Sequence, residues 1–320
     1  MSTALRPFFK VDVFTPTPYL GNPLAVVMDA TGLSDAQMQQ FAHWVNLSET
    51  TFLTAPSAEG AAQGADYRVR IFTPSGELPF AGHPTLGSCH VWLEQQALQG
   101  HSLANKEFIV QECKSGLIRI RREGARLAFA APALQRSNPS PALLARVAAA
   151  LGLKADQIIA AQMLNNGATW LGLLLDRKQT VLQLMPDHLA LNNLGVTVGV
   201  ASVEPWQEAP ALIARANREA RAFGTRTQDV QAVADDPTDA TLEVRAFAAL
   251  EGIDEDPVTG SFNASLAQWL IAEGHAPTEY VAAQGTCIGR AGRVHIAQDR
   301  AGQVWVGGES VTCVRGQVSL

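Results

Sequence analysis

Three places in the chain carry residue types suited to moving a proton on a bound acid. The first is Glu49, in the run Asn46-Leu47-Ser48-Glu49-Thr50-Thr51-Phe52. One carboxylate stands there among apolar and hydroxylated neighbours, at a helix-to-strand junction. Burial would raise its pKa toward the range useful for proton transfer at neutral pH; an exposed loop glutamate or a structural cap would read the same way. The second is Gly82-His83-Pro84-Thr85. Glycine lets a ligand approach the backbone closely, and proline suits the first helical position. His83 then falls near an N-cap, with a charge adjustable near neutral pH. The plain alternative is a solvent-facing histidine at a helix start. The third is Asp256-Pro257-Val258-Thr259-Gly260-Ser261. Asp256 reads as a second acid/base or an ammonium binder, Thr259 and Ser261 as hydrogen-bond donors, and Gly260 as another opening in the backbone. An ordinary capped helix start uses the same residues.

The second and third places are copies of one unit. Glu77-Leu78-Pro79-Phe80-Ala81-Gly82-His83 matches Glu255-Asp256-Pro257-Val258-Thr259-Gly260-Ser261. Each copy follows an Arg-x-Phe stretch, Arg70 to Phe72 and Arg245 to Phe247, and each runs into a helical segment with a tryptophan, Trp92 or Trp269. Further on, Gln111 with Gly116-x-x-Arg119-Ile120 loosely matches Gln284 with Gly292-x-Val294-His295-Ile296. A repeat spaced by about half the chain implies two related lobes. Two helix starts facing one cleft would bind a carboxylate through free N–H groups and the helix dipole.

The elements around these motifs alternate in period. Phe8 to Phe14, Leu24 to Met28, Thr51 to Thr54 and Tyr67 to Phe72 read as strands, with a Ser34-capped helix running to Val45 that faces inward through Met38, Phe41 and Trp44. Pro84 to Ala97 reads as a helix apolar or small on most sides, which belongs inside a barrel. Strands follow at Glu107 to Gln111, Gly116 to Arg121 and Arg126 to Ala130. Pro132, Asn138, Pro139 and Pro141 then break the pattern. We place the lobe boundary there: residues 1–131, completed by 309–320, form one lobe and 132–308 the other. The second lobe has a surface helix from Pro141 to Leu151, strands at Ile158 to Met163, Trp170 to Leu175, Val196 to Ser202 and Leu242 to Phe247, a helix at Ala211 to Glu219, and a polar loop at Gln228 to Asp239. Its inner helix spans Ser261 to Glu273, and strands at Tyr280 to Gln284, Arg293 to Ala297, Val304 to Val306 and Ser310 to Val314 end the chain. Several strands, one buried helix and more strands, repeated, predict an α+β fold of two pseudo-symmetric lobes, each a strand-rich barrel around a central helix, rather than a doubly wound α/β domain.

Bulk properties narrow the chemistry. A net charge of −6 argues against nucleic acid as the main partner. No segment reads as a signal peptide or membrane span, so a cytoplasmic protein is expected. The four cysteines, Cys89, Cys113, Cys287 and Cys313, form no C-x-x-C pair. They read as buried thiols, and no cluster of Cys and His suggests a metal site. His90 reads as a core or helix-end histidine. The dinucleotide fingerprint, the Walker A pattern and Gly-x-Ser-x-Gly are all absent, leaving acid/base work without a cofactor.

The blocks Asn46 to Phe52, Phe80-Ala81-Gly82-His83-Pro84-Thr85 and Glu255 to Ser261, with Val11-Asp12-Val13-Phe14, Gly21-Asn22-Pro23-Leu24-Ala25-Val26 and the closing Val304 to Gly316, resemble the phenazine-biosynthesis isomerase (PhzF-like) family over essentially the whole chain. The resemblance implies a diaminopimelate-epimerase-like fold with the site between the lobes, and cofactor-independent proton transfer between carbons of a small cyclic amino-carboxylate. It implies that Glu49 is the catalytic acid/base. His83, Asp256 and Ser261 would bind and orient the substrate's polar groups and assist the proton, while Gly82 and Gly260 would offer amides to its carboxylate. It also implies a homodimer. Related racemases use two cysteines at the repeated helix starts; here those starts carry His83 and Ser261, which disfavours a two-thiol mechanism. An epimerase or lyase of the same fold, and a catalytically silent binding protein, are the alternatives. The chain reads as longer than a minimal member through Thr180 to Thr227.

Overall fold

The computed structural model describes residues 4–103, 105–203 and 240–320. The first lobe runs β1 (Leu5–Val13), β2 (Asn22–Val27), α1 (Asp35–Val45), β3 (Thr50–Thr54), α2 (Ala58–Ala62), β4 (Tyr67–Phe72), β5 (Glu77–Leu78), α3 (Gly82–Leu98), β6 (Phe108–Cys113), β7 (Gly116–Glu123) and β8 (Arg126–Ala130). The second runs β9 (Gln135–Ser137), α4 (Pro141–Leu151), β10 (Ile158–Asn165), β11 (Thr169–Leu175), α5 (Lys178–Gln183), α6 (His188–Asn192), β12 (Thr197–Val203), β13 (Leu242–Ala248), β14 (Ile253–Asp256), α7 (Gly260–Ala272), β15 (Glu279–Gln284), β16 (Gly292–Gln298) and β17 (Val304–Gly308). The last strand, β18 (Ser310–Ser319), returns to pair antiparallel with β1.

The pairing order repeats. β1–β2 is antiparallel, β2–β3 parallel, β3–β4 antiparallel, β4–β6 parallel, and β6–β7–β8 antiparallel. In the second lobe β10–β11 is antiparallel, β11–β12 parallel, β12–β13 antiparallel, β13–β15 parallel, and β15–β16–β17 antiparallel. Even the extra strands correspond: β18 lies beside β1 and β9 beside β10. The antiparallel seam β8–β17 joins the lobes into one sheet system.

Inside each lobe one helix is buried almost all round. From Gly82 to Trp92 every residue of α3 except His90 is buried, and α7 is buried from Phe262 to Leu270 except at Gln268. Such helices hold position by close approach. A Cβ added at Gly199 on β12 would sit 2.1 Å from the Phe262 ring of α7, so only glycine leaves room for that ring. The outer helices are amphipathic: α1 packs Met38, Phe41 and Ala42 on Phe52 and Phe72, and α4 packs Val147, Ala150 and Leu151 on the outside of the second lobe.

Some expectations need correction. Trp44 is 77% exposed, and Ala42 takes the inward place given to it. At 100° per residue Trp44 has turned about 120° from Met38, whereas Ala42 lies about 40° away. The stretch Pro132 to Pro141, read as a break, holds the short strand β9. Only Cys89 and Cys113 are buried thiols; Cys287 lies in an exposed turn and Cys313 is half-buried on β18, where neither meets the core. The helix expected at Ala211 to Glu219 and the loop at Gln228 to Asp239 lie outside the described residues, as does the latter half of Thr180 to Thr227. Among the described residues no helix is long and apolar enough to cross a membrane.

Candidate active site

The two repeated motifs end in the same place. Helix α3 begins at Gly82 and α7 at Gly260, and a Cβ built on Gly260 would lie 3.3 Å from Gly82 Cα and 3.3 Å from the His83 backbone nitrogen. A Cβ on Gly82 would press against Phe129 at 2.7 Å. Glycine at both positions is therefore what lets the helix tips abut. Their caps set them apart from the outer helices. Ser34 caps α1 and Ser140 caps α4 through their side chains. Ala81 and Thr259, at the N-caps of α3 and α7, make no side-chain cap hydrogen bond. The first amides of both inner helices thus lack the usual internal acceptor.

Glu49 reaches this junction from the turn between α1 and β3. Helix α1 stops at Val45 because Asn46 adopts the left-handed conformation (φ 56°, ψ 36°), donating its N–H to Ala42 O. The chain then turns through Leu47 and Ser48 into β3 and delivers Glu49 with its side chain 15% exposed. Glu49 Oε2 lies 3.4 Å from His83 Nε2. His83 is buried, and that burial lowers its pKa to about 3, which leaves the imidazole neutral at neutral pH. The neighbouring carboxylate acts in the opposite sense but does not outweigh burial this deep.

Asp256, at the end of β14, is buried beside them. Its Oδ2 accepts from Thr259 Oγ1 at 2.5 Å and its Oδ1 from Asn22 Nδ2 at 3.1 Å. The same Asn22 nitrogen donates to Val258 O at 2.8 Å and lies 3.5 Å from His83 Nδ1. Gln284, fully buried on β15, holds the turn between Asp256 and α7: its Oε1 accepts from Thr259 N and Asn263 Nδ2, and its Nε2 donates to Asp256 O and Thr259 Oγ1. Ser261 follows Gly260. Its Oγ accepts from Trp170 Nε1 at 3.2 Å, and its carbonyl accepts from Asn166 Nδ2 at 3.0 Å.

The structure therefore brings Glu49, Gly82, His83, Asp256 and Gly260 to one junction, with Ser261 at the adjoining position of α7. Thr259 sits beside them but spends its hydroxyl on Asp256 rather than on its own helix. His90 stands apart, with Nε2 3.0 Å from Thr312 Oγ1 on β18. Cys89 lies buried mid-helix, where burial pushes its thiol pKa upward. Among the described residues no group of three or more His, Cys, Asp and Glu side chains is placed to hold a metal. Sequence reading passed over three polar residues of the junction. Asn22 stood as one letter of the block Gly21 to Val26 that carries the resemblance, Gln284 as a repeat marker, and Trp170 as a strand residue. The usable signal at Asn22 was an amide opening the wholly apolar run Leu24 to Val27.

Comparison with known proteins agrees with this architecture. A family model described as phenazine biosynthesis-like protein matches residues 11–316. The chain is 32% identical to a Schizosaccharomyces pombe protein named antisense-enhancing sequence 1, covering 97% of both. It is also 32% identical to a trans-2,3-dihydro-3-hydroxyanthranilate isomerase of Pseudomonas fluorescens, covering 97% of this chain and 98% of that one. The crystal structure of an Enterococcus faecalis phenazine biosynthesis protein of the PhzF family superposes with a TM-score of 0.72 at 25% identity, over 99% of this chain and 100% of that one. The fold is diaminopimelate-epimerase-like, and the chain belongs to the phenazine biosynthesis-like family.

Proposed function

We propose that the protein is a cofactor-independent isomerase that moves a proton between carbons of a small cyclic amino-carboxylate, of the trans-2,3-dihydro-3-hydroxyanthranilate type. The observation that carries the reading is the junction itself: a mostly buried carboxylate, Glu49, 3.4 Å from a neutral histidine and beside two uncapped helix starts in contact. Curated relatives named as isomerases, the Pseudomonas fluorescens protein among them, support the same class.

In this reading the substrate carboxylate lies against the amides at Gly82 and Gly260, where the N–H groups and helix dipoles favour an anion. The Glu49 carboxylate takes a proton from one carbon. The electron pair left behind shifts through the ring's conjugated bonds to a second carbon, and the Glu49 acid returns the proton there. Atoms and net charge are unchanged, so no oxidant or leaving group is required. Asp256 and Ser261 orient the amino and hydroxyl groups, and His83 supports the charge change on Glu49.

Incubation with trans-2,3-dihydro-3-hydroxyanthranilate and related amino-carboxylates in deuterated water tests this. Deuterium is expected at carbon, and Glu49→Gln is expected to lower its uptake by about 10²-fold or more. Uptake untouched by that substitution would remove Glu49 from the mechanism. Thermal stabilisation by the same compounds without turnover would make the protein a binding module instead.

A further inference from the structure

We infer that Asn22 is a positioning residue that holds His83 in the Nε2–H tautomer, with the protonated nitrogen on the side of Glu49, while pinning Asp256 across the junction. The inference rests on the proton-transfer reading above for its functional half, and on geometry for the rest.

The orientation of the Asn22 amide is decided by its partners. Val258 O, 2.8 Å away, is a carbonyl and can only accept, so the atom facing it is the amide nitrogen. The second hydrogen of the same nitrogen is shared between Asp256 Oδ1 at 3.1 Å and His83 Nδ1. His83 Nδ1 sits 3.5 Å from that nitrogen, the longest of the three approaches. A ring nitrogen facing an N–H group is favourable only with its lone pair turned to it; a hydrogen there would meet donor against donor. The neutral ring then carries its proton on Nε2, which is the atom 3.4 Å from Glu49 Oε2.

Two consequences follow for the reaction. The side of the ring 3.4 Å from Glu49 carries the proton, so it offers Glu49 no second base in the reading above. His83 has no free lone pair on that side and cannot compete for the same proton. Asp256, with one oxygen held by Asn22 and the other by Thr259, is likewise kept as an acceptor. Asn22 comes from the start of β2 in the first lobe, and Asp256 and Val258 come from the second, so this amide fixes the relative placement of the two halves. It does so at a cost. Asn22 is fully buried, and its Oδ1 has no hydrogen-bond partner among the described residues. A residue present for packing alone would not leave a buried acceptor unmet.

The test is the tautomer of His83, read by long-range 1H–15N correlation in protein labelled on histidine nitrogen, with the His83 signals identified by their loss in His83→Gln. The unaltered protein is expected to show the Nε2–H pattern. In Asn22→Leu the pattern is expected to move toward a mixture, with kcat for deuterium exchange down about tenfold and KM within about threefold. An Nδ1–H pattern in the unaltered protein overturns the inference, as does an unchanged tautomer in Asn22→Leu. An altered tautomer with unchanged kcat overturns its functional half. If Asn22→Leu does not fold, Asn22→Ala replaces it, and the spectrum of the unaltered protein is decisive by itself. Absence of exchange in every protein with every candidate substrate would defeat the isomerase reading and leave the tautomer result standing.

Discussion

The two lobes use one device to present their helix starts, and they differ in how deeply they bury it. In the first lobe Arg70 grips Glu77 with Nε on Oε1 at 2.7 Å and Nη2 on Oε2 at 2.8 Å. In the second, Arg245 grips Glu255 with Nε on Oε1 at 3.0 Å and Nη2 on Oε2 at 2.7 Å. Each guanidinium lies 5.1 Å from the ring of the phenylalanine two residues on, Phe72 or Phe247. Each fork ties the strand carrying the arginine to the short strand that leads into the inner helix. The side chains of the first pair are 24% and 18% exposed, and its arginine also reaches the exposed Asp35. Those of the second are 6% and 6% exposed, and Arg245 Nη1 goes on to Val181 O and Leu184 O. Identical bonding in unlike surroundings teaches that burial, not geometry, decides what each pair is worth. The second lobe carries Asp256 immediately after its glutamate, so there the rigid version lies next to the buried carboxylate of the junction.

The largest difference between the lobes should appear when one partner is removed. Glu255→Gln leaves the Arg245 charge buried without its counter-ion and is expected to cost about 3–5 kcal/mol. Glu77→Gln removes a partly solvated pair and is expected to cost about 1 kcal/mol or less. Urea unfolding of both variants measures this. Equal losses would mean that the two forks sit in equivalent surroundings and would break the comparison. Acid adds a direction at the first fork. The hydrogen bond from Arg70 holds the Glu77 carboxyl below its usual range, so its contribution is present above the unfolded value and is lost as pH falls through the folded one.

A second asymmetry lies at the helix starts, where His83 in one lobe corresponds to Ser261 in the other. Only the first titrates. Burial holds the folded pKa of His83 near 3, while an unfolded histidine binds its proton near pH 6.5. Between those values the unfolded state binds more protons, so stability rises with pH and falls as pH drops below about 6.5. The slope from this residue approaches about 1.4 kcal/mol per pH unit within the window. His83→Asn should flatten the stability profile between pH 6 and pH 4, values chosen to lie inside that window, whereas Ser261→Ala should leave its slope alone. A profile as steep in His83→Asn as in the parent would show that the histidine is not held neutral.

How much of this was legible in the sequence follows from where each signal lives. The repeat, the inner helices and the longer strands were visible because hydrophobic period and the Arg-x-Phe and Gly-polar blocks are local; the short strands β5, β9 and β14 carry too few residues to show a period. The helix starts were read two residues late at α3 and one late at α7, because Gly82 and Gly260 are poor helix formers that tertiary contact places in the first turn. Glu49 was legible as a lone carboxylate at a junction, but its approach to His83 depends on the left-handed turn at Asn46. Asn22 was not legible as a site residue. Its partners lie 61, 234 and 236 positions away, and nothing near it in the chain announces them.

The smallest expected effect separates inner helices from outer ones. The serine caps of α1 and α4 accept from the third helical amide, Gln37 or Leu143; in α3 that place is Pro84, which has no N–H, so a cap at Ala81, extended as an N-cap must be (φ −151°, ψ 142°), can serve only the His83 amide. Ala81→Ser would therefore give the His83 N–H an acceptor and stabilise the fold by about 0.5 kcal/mol. The same hydroxyl would stand beside the Gly82 amide that the proposed substrate carboxylate uses, so KM should rise as the melting temperature does. Ser140→Ala, on the outer helix, should lower stability by a similar amount and leave KM where it was. A cap at position 81 that stabilises the protein with no effect on substrate affinity would show that the open amides of α3 serve no ligand, and the likeness of the two helix tips would then be one of packing alone.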